Sequence, residues 1–150
     1  MNMNLKQELR SALTTAMKAR DEDTKRVLRL IMSAIKLAEV DKGDEIDDAF
    51  ILGLLQKEIK TRNEMIEEAE RANRVDLVDA AEREIVVLNR FLPQQMQPEE
   101  LERLVKDVIQ ELGATHIQDM GKVMKTLMPK IAGRASGQDA SNMVKDLLND

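Results

Sequence analysis

The sequence predicts an all-α protein in two parts: an N-terminal bundle of about four helices over residues 1–93 and a compact three-helix domain over 94–150. Three observations carry this reading. Apolar residues recur at three- and four-residue spacing through nearly the whole chain, which is the period of one helical face. Aromatic residues make up 1% of the 150 residues and Gly and Pro number only 6 and 3, a balance that favours helices over strands. The uncharged, proline-bounded stretch 92–98 separates two charged helical patterns and marks the division.

Leu5, Leu9, Ala12, Leu13 and Ala16 give a first helix over about 4–19. Asp21, Glu22 and Asp23 then supply a break and an acidic cap for the second, carried over 24–40 by Val27, Leu30, Ile31, Ala34, Ile35 and Ala38. Residues 41–44 read as a turn, and Asp47 is the next cap candidate. Behind it Ile51, Leu55, Ile59, Ile66 and Ala69 mark the longest helix, to about residue 72, roughly 36 Å at 1.5 Å per residue. Val78, Ala81, Ile85, Leu88 and Leu92 carry a fourth; residues 85–88 alone fit a buried strand, and their helical flanks decide for a helix. Pro98 suits a first helical position, with Glu99 and Glu100 at the positive dipole end, and the fifth helix runs to Gly113. Met120, Val123, Met124, Leu127 and Met128 give a sixth helix from about 118 or 119, which Pro129 is expected to end or kink. After a loop at 133–137, Ala140, Met143, Val144, Leu147 and Leu148 form the seventh.

Composition narrows the chemistry. Without Cys there are no disulfides, thiolate nucleophiles or cysteine-ligated metals, and His116 is the sole imidazole. His116 precedes a helix start and reads as a surface or capping residue. Carboxylate pairs such as Glu67 with Glu68, or Glu82 with Glu84, fall on polar helix sides and are expected to be solvated. The phosphate-loop and nucleophile-elbow patterns are missing. No catalytic residue, metal or cofactor is therefore expected. The longest wholly apolar run, 49–55, is far below the roughly 20 residues of a bilayer span. The expectation is a soluble, cytoplasmic protein.

Charge placement says more than the net charge of -5. Residues 121–137 contain Lys122, Lys125, Lys130 and Arg134 and no acid. Lys122 and Lys125, three apart and opposite the apolar stripe, are expected to project together into solvent. Arg134 lies between Gly133 and Gly137, and glycine N–H groups with a guanidinium suit a phosphate oxygen. A second acid-free stretch, 24–36, sets Lys25, Arg29 and Lys36 on one stripe with Met32. Arg62 falls inside the apolar stripe of the third helix, where its stem is expected to pack and its head to pair. Met120, Met124 and Met128 read as core filling, with an adaptable partner groove as the alternative. The lack of Tyr and Trp disfavours stacking on single-stranded bases and leaves backbone and shape contacts.

Several segments resemble the YqeY family across essentially the full chain: Val27-Leu28-Arg29-Leu30-Ile31 with Ala34-Ile35-Lys36, Leu55-Gln56-Lys57-Glu58-Ile59-Lys60 with Arg62, Leu92-Pro93-Gln94-Gln95, Asp119-Met120-Gly121-Lys122-Val123-Met124, and Gly133-Arg134-Ala135. The second half is also similar to the tail domain of GatB, the B subunit of the tRNA-dependent Asp/Glu amidotransferase. That resemblance implies a helical bundle followed by a three-helix tail of the kind that engages tRNA. Amide transfer in that enzyme, a carbon–nitrogen ligation with glutamine as nitrogen donor, needs an amidase subunit and an ATP-using domain, and this sequence shows neither.

The sequence thus points to a non-catalytic accessory protein that binds tRNA or another structured RNA through Lys122, Lys125, Lys130, Gly133 and Arg134, with Lys25, Arg29 and Lys36 as a second set. Two alternatives stand beside it. One is a helical module that binds a protein partner, suggested by the methionine ladder and the proline stretch. The other is amide transfer, suggested by family association alone.

Overall fold

The computed structural model describes residues 4–149. Among them are seven α-helices, one short 3-10 turn at Ile117–Asp119 and no strand. The helices are α1 (Leu5–Ala19), α2 (Glu22–Lys42), α3 (Asp48–Arg71), α4 (Val75–Asn89), α5 (Pro98–Leu112), α6 (Met120–Ile131) and α7 (Gly137–Leu148). The chain divides into two compact units, Met1–Leu92 with α1 to α4 and Pro93–Asp150 with α5 to α7.

The helix ends follow from local chemistry. Asn4 and Gln7 form a capping box at α1. Asp21 accepts from the Thr24 N–H at 3.2 Å and Asp47 from that of Phe50 at 2.9 Å, each satisfying an orphan donor of the first turn. Gly43 and Gly113 close α2 and α5 in the left-handed conformation that glycine adopts without strain. The sixth helix does not end at Pro129, because α6 runs through it to Ile131. Ile131 is completely buried in the unit's core, and that burial favours one more turn over an end at the proline. Termination falls to Ala132, at φ 49, and Gly133, at φ 79.

In the first unit α1 and α2 form one hairpin and α3 and α4 another, with α2 packed on both α3 and α4. Leu9, Leu28, Ile31, Ile35, Ile51, Leu55 and Leu88 are the centre of the core. Residues 85–88 are helical, with Val87 and Leu88 inward and Val86 exposed, a split that a helix face produces.

Arg62 is 6% exposed, and its head is paired as its place in the apolar stripe requires. Its Nε donates to Glu84 Oε2 at 2.7 Å, and its Nη1 donates to Glu58 Oε2 at 2.6 Å and to the Glu58 carbonyl at 3.1 Å. Glu84 extends the network through Oε1, 3.3 Å from Arg26 Nη2, and Arg26 donates to Asp23 at 2.8 Å. Asp23 in turn takes Arg83 at 3.3 Å. Glu84 is therefore not a solvated carboxylate as the sequence suggested, since α4 turns it toward cations of α3 and α2 and leaves its side chain 16% exposed.

In the second unit α5, α6 and α7 each pack on the other two around Val105, Val108, Val123, Leu127, Ile131, Ala140 and Val144. Met120 and Met124 pack against this core, while Met128 is 37% exposed. The methionines thus fill the interior more than they line a groove.

Two stability predictions follow from these contacts. Arg62→Ala strands two partly buried carboxylates and is expected to cost about 3–5 kcal/mol in urea unfolding of the full chain, with Arg62→Lys restoring only part. Ala132→Gly relieves a left-handed alanine and is expected to raise stability by about 1 kcal/mol in the same measurement.

Candidate nucleic-acid interface

The cations of residues 121–137 separate into two groups. Lys122 and Lys125 are exposed on the side of α6 opposite Val123, Leu127 and Ile131, and neither joins an ion pair among the described residues. Lys130 lies on a different side of the helix and reaches Glu111 of α5 at 2.9 Å, a pair exposed at both ends. Arg134 holds Glu100 through two nitrogens, at 2.9 and 3.1 Å, and donates through Nε to the Gln94 carbonyl at 2.8 Å.

The four cations therefore do not form one acid-free surface. The segment itself has no acid, but α5 runs alongside and supplies Glu100 and Glu111. Arg134 is a structural clasp as much as a surface charge. Gln95 Nε2 donates to the Gly133 carbonyl at 3.0 Å, and the Met96 N–H to the Arg134 carbonyl at 2.7 Å, so residues 94–96 are stitched to the turn after α6. Gly133 earns its place through positive φ in this turn.

The α2 cations also differ among themselves. Lys25 lies 3.5 Å from Glu22, one turn back on the same helix. Arg29 and Lys36 are exposed, take no carboxylate partner among the described residues, and line a crevice of about 570 Å³ between α1 and α2. Arg10 of α1 lines the same crevice and was not among the candidates. Its charge alone marked no site in the sequence, because only the pairing of α1 with α2 brings it beside Lys36 and Arg29.

His116 is exposed ahead of the 3-10 turn. Asp119 accepts from the backbone N–H groups of Thr115 at 3.1 Å and His116 at 3.3 Å. Those two bonds, led by Thr115, hold its carboxyl below the usual aspartate range despite some desolvation, and the charges of His116 and Lys122 lower it further. Asp119 is thus an acid near Lys122 as well as the lock on the turn that starts α6. Among the described residues no group of three His, Cys, Asp or Glu is placed to hold a metal ion.

A family model described as Yqey-like protein matches residues 6–148, nearly the entire chain. The chain belongs to the YqeY family. Among relatives, an uncharacterized protein of Schizosaccharomyces pombe is 34% identical over 91 residues, 61% of this chain and 74% of that protein. The Altered inheritance of mitochondria protein 41, mitochondrial, of Lachancea thermotolerans is 36% identical over 92 residues, 61% of this chain and 47% of that protein. Its namesake in Pyrenophora tritici-repentis is 29% identical over 129 residues, 85% of this chain and 71% of the relative. This YqeY-family chain thus spans about half the length of the Lachancea protein. Among the described residues no helix is long and apolar enough to cross a membrane.

The Asp119 lock has a pH signature. Its carboxyl ionises more readily folded than unfolded, so its contribution is complete above the ordinary aspartate range and is lost as pH falls through the depressed value. Asp119→Asn is expected to make the acid limb of a stability–pH curve shallower and to leave the curve's shape near neutral pH unchanged, as followed by thermal unfolding.

Proposed function

We propose that this chain is a non-catalytic accessory protein that holds tRNA or another structured RNA by its phosphate backbone. The observation that carries the reading is the outward face of α6, where Lys122 and Lys125 are exposed and join no ion pair among the described residues in a chain of net charge -5, with Asp119 an acid whose carboxyl feels Lys122. Two ammonium groups one helical turn apart attract phosphate oxygens, and long-range repulsion from distant acids is screened within about 8 Å at physiological salt. The similarity of the second unit to the GatB tail supports the choice of tRNA. Arg29 and Lys36 are assigned as phosphate contacts of the first unit. Lys25, Lys130 and Arg134 have lesser parts, because each already faces a carboxylate, and Gly133 serves by shaping the turn that carries Arg134. The reading places the chain in the cytoplasm; the word mitochondrial belongs to the names of the fungal relatives.

The test is tRNA affinity measured across a salt series. Binding is expected to fall linearly on logarithmic axes, and Lys122→Gln with Lys125→Gln is expected to weaken it and reduce the slope by about 2, one for each phosphate contact removed. Lys130→Gln, which removes a charge already paired, is expected to change it less. No tRNA binding at low salt, or binding indifferent to the α6 pair, overturns the proposal.

A further inference from the structure

The α1–α2 crevice collects positive charge that the fold leaves unanswered. Lys6 and Arg10 from α1 face Arg29 and Lys36 from α2, and the lining contains a single acid, Glu39. That acid is already engaged: Lys6 Nζ donates to its two oxygens at 2.9 and 3.0 Å, and the Ile46 N–H approaches Oε2 at 3.4 Å. Arg10 is near enough for its charge to help keep Glu39 ionised, but Arg10, Arg29 and Lys36 make no ion pair among the described residues. Three cations beside one hollow repel one another unless an anion joins them. The same lining includes the half-buried apolar side chains of Leu13 and Met32, buried Ile35 and exposed Ser33.

The geometry points to a nucleotide site in this crevice, with phosphate on Arg10, Arg29 and Lys36 and the nucleobase against Leu13 and Met32. Two guanidinium forks and an ammonium suit a phosphate, since arginine offers it paired parallel N–H donors. A bare inorganic anion has no use for the apolar part of the lining, whereas an aromatic base gains from aliphatic burial and from contact with a thioether sulfur. The volume of about 570 Å³ falls within the roughly 300–1,000 Å³ of small-molecule sites. The hollow adjoining it past Lys6 and Glu39 carries Asp44 and Glu45, which repel phosphate and direct it toward Arg10 and Arg29. The site stands without the RNA reading: its nucleotide is either a free one or one residue of an RNA strand, and the same three cations serve both.

The test titrates ATP, inorganic tripolyphosphate and a short single-stranded oligoribonucleotide separately into the full-length protein by isothermal calorimetry at low salt. ATP is expected to bind at one site more tightly than tripolyphosphate, and Arg10→Gln with Arg29→Gln to weaken it about tenfold or more. Met32→Asp is expected to abolish the preference for ATP over tripolyphosphate. All the crevice substitutions are at exposed or half-buried positions, and retained helical circular dichroism confirms that the variants fold. Binding of the oligoribonucleotide alone, with the same dependence on Arg10 and Arg29, supports the site with RNA as its source. Lys122→Gln with Lys125→Gln is expected to leave ATP binding unchanged, so a failure of the α6 reading and a failure of this one are told apart. The inference is overturned if neither nucleotide probe binds, if binding ignores the Arg10 and Arg29 changes, or if tripolyphosphate binds as tightly as ATP.

Discussion

A buried guanidinium sets the terms for the first unit. Arg62 occupies a core-facing position on α3, where an uncompensated charge costs several kcal/mol. Glu58, one turn away, meets part of the need from the same helix, but Glu84 has to come from α4. That requirement fixes how α4 lies along α3. Arg26 then draws on the other oxygen of Glu84 and ties in α2, with Asp23 and Arg83 completing the chain of charges. Apolar packing alone tolerates a slide of one helical turn between such surfaces; alternating charges with specific partners do not. The Leu28, Ile31 and Ile35 face of α2 is held inward by the same arrangement, which leaves Arg29 and Lys36 on the neighbouring flank beside α1.

Cations in this chain thus fall into two populations. One is consumed internally: Arg62 and Arg26 in the network, Lys6 on Glu39, Lys130 on Glu111 and Arg134 on Glu100. The other joins no ion pair among the described residues and includes Lys122 and Lys125 on the outer face of α6 and Arg10, Arg29 and Lys36 in the α1–α2 crevice. A surplus of acids over the entire chain does not erase such local fields, because solvent and salt confine each charge's influence to its neighbourhood. The two groups differ in form as well as place. The α6 pair lies on an exposed helix face, and the crevice is a hollow whose lining includes Leu13, Met32 and Ile35.

Much of the fold was legible because helices announce themselves locally. The apolar period located all seven, Asp21 and Asp47 stand at the caps where their side chains accept the expected N–H groups, and Gly113 ends α5. Arg62 was legible too, since a charge in an apolar stripe has few stable fates. What escaped depends on separation along the chain. Glu111 lies 19 residues from Lys130, and Glu100 lies 34 from Arg134, so an acid-free segment gave no sign of the acids that α5 would bring to it. Glu84 looked like one of many surface acids until α3 and α2 closed around it. Pro129, expected to end or kink its helix, does not end it, because the burial of Ile131 favours another turn.

The clasp between residues 94–96 and the turn at Gly133 and Arg134 lies wholly within the second unit. The incoming chain commits its backbone and side-chain hydrogen bonds to the unit it is entering: Met96 through its amide, Gln94 through its carbonyl and Gln95 through its terminal amide. None of these bonds asks anything of the residues upstream. The leading segment of the second unit is therefore fastened to that unit's own body, and these bonds hold whatever the state of the helices before it.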